Sequence, residues 1–169
     1  MAGYAIGKSM NYGFPGTYSR TPDDVIMARP VKDDSDAVPF GMAVVLNADN
    51  TYSLAGADAT MANFAGVAVR IVKQTVQYMD QTQAAYQPGE MCSVLERGNV
   101  AVVCNVGTPT AGGKVYLRIS ANAGNTIVGG FEAQSDTTHT VEITNARWAT
   151  GLKDSNNVAE LCIMTRNNP

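Results

Sequence analysis

Met91-Cys92-Ser93-Val94-Leu95-Glu96-Arg97-Gly98-Asn99-Val100-Ala101-Val102-Val103-Cys104-Asn105-Val106 is the run whose reading decides the fold class. Its two arms, Met91–Arg97 and Asn99–Val106, are apolar or alternating, and a glycine stands between them. Short apolar runs about a Gly-Asn step read as strands about a turn, so a hairpin is predicted at Arg97-Gly98-Asn99. The same grammar repeats on both sides. Val67-Ala68-Val69-Arg70-Ile71-Val72-Lys73 has the period-two alternation of a half-buried strand. Gly41–Leu46 is an apolar run closed by Asn47-Ala48-Asp49-Asn50, and Ala111-Gly112-Gly113 leads into the alternating Lys114–Ile119. Thr140–Trp148 and Val158–Thr165 follow, with the polar turn Lys153-Asp154-Ser155-Asn156-Asn157 between them. Short strands separated by turn signals predict an all-β barrel or sandwich over residues 40–169. Two stretches resist this pattern: Ala57–Phe64 reads as a single helical turn capped by Asp58, and Thr75–Gln87 as a loop or edge extension.

The length, 169 residues, suits one domain of the usual roughly 100–200 residues. Apolar residues make up 45% and charged residues only 16%, a balance that disfavours a coiled coil or helical bundle. The net charge of −3, with five Lys and seven Arg scattered singly, gives no row of cations for phosphates, so direct nucleic-acid binding is not expected. No apolar run approaches the roughly 20 residues that span a bilayer, and no membrane partner is expected. Met1-Ala2-Gly3-Tyr4-Ala5-Ile6-Gly7-Lys8 lacks a basic region followed by an apolar core, which predicts a soluble protein made in a cytosol. Cys92, Cys104 and Cys162 form an odd set without C-x-x-C spacing and read as small buried hydrophobes in a reducing compartment.

Residues 1–39 differ from the rest. They hold Pro15, Pro22, Pro30 and Pro39, the tyrosines Tyr4, Tyr12 and Tyr18, and the acidic cluster Asp33-Asp34-Ser35-Asp36, with no sustained alternation or helical period. Proline fixes its own φ and pushes the preceding residue toward extended conformations. An extended N-terminal arm is predicted, with aromatic anchors Tyr12, Phe14 and Tyr18 around the turn Phe14-Pro15-Gly16, disordered alone or laid across a partner.

Few groups in the chain could be assembled into a catalytic site. The lone histidine, His139, lies in a polar turn, and no further His or Cys stands at zinc-ligand spacing. The acidic cluster lacks the glycine and distant glutamate of a calcium loop. No G-x-S-x-G occurs, and Thr110-Ala111-Gly112-Gly113-Lys114 lacks phosphate-loop spacing. No enzymatic activity, metal or cofactor is expected. Sugar binding on a β-sandwich would need exposed aromatic platforms; Trp148, the one tryptophan, reads first as packing at the lip of the core.

A succession of segments carries a resemblance: Tyr12-Gly13-Phe14-Pro15-Gly16, Arg29-Pro30-Val31, Phe40-Gly41-Met42-Ala43-Val44-Val45, Phe64-Ala65-Gly66-Val67-Ala68-Val69, Tyr86–Val100, Ala146-Arg147-Trp148-Ala149 and Ala159–Ile163. In order and spacing it resembles the structural cement, or head-decoration, proteins of tailed bacteriophages over most of the chain. The resemblance implies a β-rich domain with an extended arm on the outside of an icosahedral head, made in the host bacterial cytoplasm. It further implies a homotrimer that clamps neighbouring major capsid subunits against internal DNA pressure, and offers no catalytic residues to carry over.

Aromatics and arginine dominate binding hot spots, which points to Tyr12, Phe14, Tyr18, Arg20 and Arg29 as capsid contacts. The competing reading is that Phe14 and Tyr18 pin the arm to its own domain. Alternatives for the whole chain are another virion component, such as a tail-tube or head-completion protein, or a carbohydrate-binding β module.

Overall fold

The computed structural model describes residues 11–72 and 84–167. In chain order its strands are β1 (Tyr18–Pro30), β2 (Val38–Pro39), β3 (Ala43–Leu46), β4 (Tyr52–Leu54), β5 (Phe64–Ala68) and β6 (Ala85–Tyr86). They continue with β7 (Met91–Val103), β8 (Lys114–Arg118), β9 (Phe131–Glu132), β10 (Thr140–Trp148) and β11 (Val158–Ile163). The main sheet runs β4-β3-β5-β7-β11-β10-β8-β9, every neighbour antiparallel, with β1 paired to β7 beside that path; β2 and β6 form a separate pair. Parallel bridges Val31↔Tyr52 and Cys104↔Phe131 tie the two ends of the path back to chain next to β1 and β7. The sheet is therefore curled into a half-barrel, as the all-β expectation requires.

Alternation sorts side chains onto two faces. Ala43, Val45, Phe64, Val67 and Leu95 enter the larger core, with Val100, Phe131, Ile143, Trp148 and Leu161. Their strand neighbours Val44, Ala65, Ala68 and Val94 enter a second core around Tyr52, Phe40 and Tyr86. Each fully buried large apolar side chain contributes about 1.5–3 kcal/mol. With both faces covered, β5 is buried at all its positions, which explains its apolar, glycine-containing sequence. A Cβ on Gly66 would sit 2.0 Å from the Leu95 carbonyl oxygen, so close strand contact there requires glycine.

Two local expectations are corrected and one is sharpened. Arg97-Gly98-Asn99 is not a hairpin: β7 passes straight through it as one strand. Gly98 takes φ 124° opposite a break in register, where β1 advances from Arg20 to Val25 while β7 moves only from Asn99 to Arg97. A positive-φ glycine serves a bulge as readily as a reversal, and the sequence signal is the same. Within the predicted extended arm, where no sustained alternation marks a strand, β1 nonetheless covers Tyr18–Pro30. Its strand character comes from β7, against which Ile26–Pro30 pair in unbroken register with Leu95–Met91. Pro22 falls within the bulged stretch and Pro30 at the strand end, where the missing N–H does least harm. Ala57–Phe64 makes turns instead of a helix; Asn63 accepts from the Thr60 N–H and Thr60 O accepts from Phe64 N–H, with no cap from Asp58. Of Thr75–Gln87, residues 75–83 lie outside the described residues, and Ala85–Tyr86 is β6.

Candidate functional site

The five residues predicted as contacts are carried by the turn before β1 and by β1 itself. Phe14-Pro15-Gly16 forms the expected turn, closed by the Thr17 N–H donating to Phe14 O at 3.1 Å, with Gly16 at φ 84°. Gly16 then stitches two parts of the sheet together. Its N–H donates to Ala101 O on β7, and its carbonyl accepts from Arg70 N just beyond β5, both at 2.8 Å. A Cβ on Gly16 would meet backbone atoms of Ala68, Arg70 and Gly41 at 2.8–2.9 Å, so the turn seats flush against the fold only as glycine. Phe14 projects outward, 65% exposed, and Tyr18 is 46% exposed. Upstream, the Tyr12 N–H donates to Asp154 Oδ2 at 3.1 Å and its hydroxyl lies 3.4 Å from Thr150 Oγ1.

Both arginines of the set have partners within the chain. Arg20 grips Glu160 of β11 with two bonds, Nε to Oε1 at 2.6 Å and Nη2 to Oε2 at 3.0 Å, and Ser19 Oγ adds a third at 2.7 Å. The Arg20 hydrogen bond holds the Glu160 carboxyl below its ordinary value, against the opposing effect of burial. The Arg20 side chain itself stays largely in solvent. Arg29 reaches inward to Tyr52 Oη at 3.0 Å and Glu96 Oε1 at 3.5 Å. Glu96, 1% exposed, also accepts from Tyr52 Oη at 3.1 Å and from Arg166 Nε at 2.8 Å. One buried carboxylate thus joins β1, β4, β7 and the segment after β11. Burial, with the Glu96 charge adding to it, pushes the Tyr52 hydroxyl pKa up and keeps it a neutral donor.

Sequence reading overlooked Glu96 and Glu160, and also Arg118, which ends β8. The available signal was a charge inside an apolar strand run: such a residue is expensive to bury unless paired. Arg118 is 2% exposed and forks onto Glu132, with Asp136 Oδ2 at 3.3 Å. Asn125 also donates to Glu132 and Asn122 to Asp136, at 2.6 Å for the latter, beside an open cleft of about 420 Å³. These carboxylates are occupied as acceptors for cations and amides, and the arrangement organises the loop between β8 and β9.

The other candidates resolve as packing or loop structure. His139 Nδ1 lies 2.8 Å from Ser120 Oγ in a loop. Cys92 and Cys104 are buried and Cys162 is half-buried, all as free thiols. Burial raises the pKa of Cys104 and Cys162, away from thiolate chemistry. Trp148 is 1% exposed and offers no sugar platform. Among the described residues no group of three or more His, Cys, Asp or Glu is placed to hold a metal ion, and no helix is long and apolar enough to cross a membrane.

A curled antiparallel sheet with β1 strapped along β7 defines an all-β protein. Its fold matches that of a solved chain from "The capsid of Myoviridae Phage XM1", with TM-score 0.71 and 17% sequence identity over 98% of this chain and 99% of that one. The family model of the XM1 gp53 minor capsid protein matches residues 3–163, and the chain belongs to that family. It is a structural virion protein. No curated protein sequence matches it.

Proposed function

We propose that the protein binds the outer surface of the phage head and cements neighbouring major capsid subunits against the pressure of packaged DNA. The observation that carries this is β1: thirteen residues long, paired to β7 along one side, and exposed or half-buried at every position. Monomeric proteins guard such an edge with proline, charge and bulges, as Thr21-Pro22-Asp23-Asp24 does here, but Ile26-Met27-Ala28 carries none of these. Here Ile26, Met27, Phe14 and Tyr18 are all exposed alongside it, and a partner strand or apolar anchor finds both backbone and side-chain contacts. Residues 1–39 act as the attachment arm and residues 40–169 as the body that holds it. Within the arm, Phe14, Tyr18 and the outer face of Arg20 touch the capsid, while Tyr12 and Arg29 fix the arm in place through Asp154, Tyr52 and Glu96.

The mechanism is bridging. Copies assembled as a homotrimer each engage a different capsid subunit, and linked contacts form at high effective concentration, so individually weak ones sum to a firm clamp. Co-sedimentation with expanded shells lacking the protein tests this. Saturable pelleting at a fixed ratio to the major capsid subunit is expected, and the double variant Phe14→Ala/Tyr18→Ala pellets at least about tenfold more weakly while melting near the wild-type temperature. Absence of pelleting by the wild-type protein, or its spontaneous growth into rings or tubes, overturns the proposal.

A further inference from the structure

Six of the seven arginines have acceptors for their guanidinium groups. Arg20 holds Glu160, Arg29 and Arg166 hold Glu96, Arg97 holds Asp23, Arg118 holds Glu132, and Arg147 donates to the Thr144 and Ala146 carbonyls. Arg70 is different: among the described residues its guanidinium has neither an ion-pair partner nor a hydrogen-bond acceptor. It is nevertheless held in place. Its carbon Cζ lies 4.8 Å from the centroid of the Phe14 ring and 5.6 Å from that of Phe40. Phe40 is in turn fixed edge-on to Tyr86, with centroids 5.2 Å apart. The Arg70 backbone N–H is tied to Gly16 O. The side chain is exposed, and the chain beyond it continues into exposed Ile71 and Val72, 40% and 92% accessible.

A guanidinium stacked on aromatic rings keeps its five donors in a fixed plane. Such a group has already given up much of its rotamer freedom, so a ligand that accepts from it has less ordering to oppose. An unused planar donor set on an acidic protein, net charge −3, rimmed by exposed apolar side chains, is matched by a carboxylate with apolar neighbours. We infer that Arg70, clamped between Phe14 and Phe40, is the anchor that receives an aspartate or glutamate side chain of the major capsid subunit. This rests on the capsid-binding reading and names the chemistry that the partner must present. It also gives Phe14 a second role, as the ring that positions Arg70.

The experiment is shell pelleting with the full chain, comparing wild type with Arg70→Ala, Arg70→Lys and Arg70→Glu, with light scattering on each free protein. Arg70→Ala should raise the half-saturation concentration at least about tenfold. Arg70→Lys, which keeps charge but loses the planar fork, should recover only part of that loss. Arg70→Glu should abolish pelleting, and the Arg70-dependent share of binding should shrink as salt is raised. All four proteins should melt within a few degrees of one another, since the side chain is exposed and bears no ion pair. If wild type pellets and all three variants pellet equally well, this inference is wrong and the capsid reading stands; if wild type does not pellet, both fall. Equal pelleting with a changed oligomer size would assign Arg70 to contacts between copies of this chain and overturn the capsid partner.

Discussion

β1 and β11 are both antiparallel partners of β7, yet they are held there by different forces. β11 is buried at five of its six positions and sends Leu161 and Ile163 into the larger core. β1 is exposed or half-buried throughout, and its side chains bind through charge: Arg20 to Glu160 on β11, Arg29 to Glu96 on β7. One strand is fastened by area removed from water, the other by ladder hydrogen bonds and two buried carboxylates, with the solvent-exposed Asp23–Arg97 pair adding little. A strand of the second kind keeps its outer side chains free for a partner, which a core strand cannot.

The largest expected effect lies on the buried side of this comparison. Leu161→Ala should lower unfolding free energy by about 2–5 kcal/mol, through lost transfer energy and the cavity left behind. Met27→Ala on β1 removes a side chain of similar size but should cost less, about 1 kcal/mol, because 36% of its surface already faces water and no closed cavity is left. Denaturant melts of the two variants give the test; equal losses would mean that β1 is a core strand in all but exposure. Next in size is Glu96→Ala, which leaves Arg29, Arg166 and Tyr52 without their common acceptor. About 1–3 kcal/mol is expected, with the loss concentrated in faster amide exchange along β1. Exchange that rises equally in β11 would show that the two strands open as one unit.

The smallest effect concerns pH. Arg20 holds the folded Glu160 carboxyl below its ordinary value of 4.5, so the unfolded chain takes up the proton first. The stabilisation is therefore fully present above about the ordinary carboxylate range and is lost as pH falls through the lower, folded value. The melting-temperature gap between wild type and Glu160→Gln should be present at neutral pH and narrow as the pH is lowered through that window. A gap independent of pH would mean that the pair contributes nothing through charge.

This contrast also explains what the sequence made legible. β3, β8 and β11 are readable because burial imposes alternation or an apolar run on their residues. β1 is not, because Thr21-Pro22-Asp23-Asp24 sits in a bulge opposite Arg97–Asn99 and owes its extended form to the neighbour. The all-β class, the Phe14-Pro15-Gly16 turn and the packed Trp148 follow from local chemistry. The Glu96 junction and the Arg70 clamp do not, since each is assembled from residues distant in sequence, and only a charge set among apolar neighbours marks the first. Gly98 misleads for a related reason: glycine announces an unusual φ, and the partner strand decides whether that becomes a reversal or a bulge.

The pairing of β1 with β7 also gives the arm a direction in which it is strong. Pulled along its own axis, Ile26–Pro30 must break its ladder to Leu95–Met91 in one collective shear event. Pulled outward at one end, the same ladder opens bond by bond, as a zipper does, and Glu96 and Glu160 become the stops that halt the tear. Tension running parallel to β1 would thus be borne by the whole strand, and tension normal to it by two carboxylates in turn.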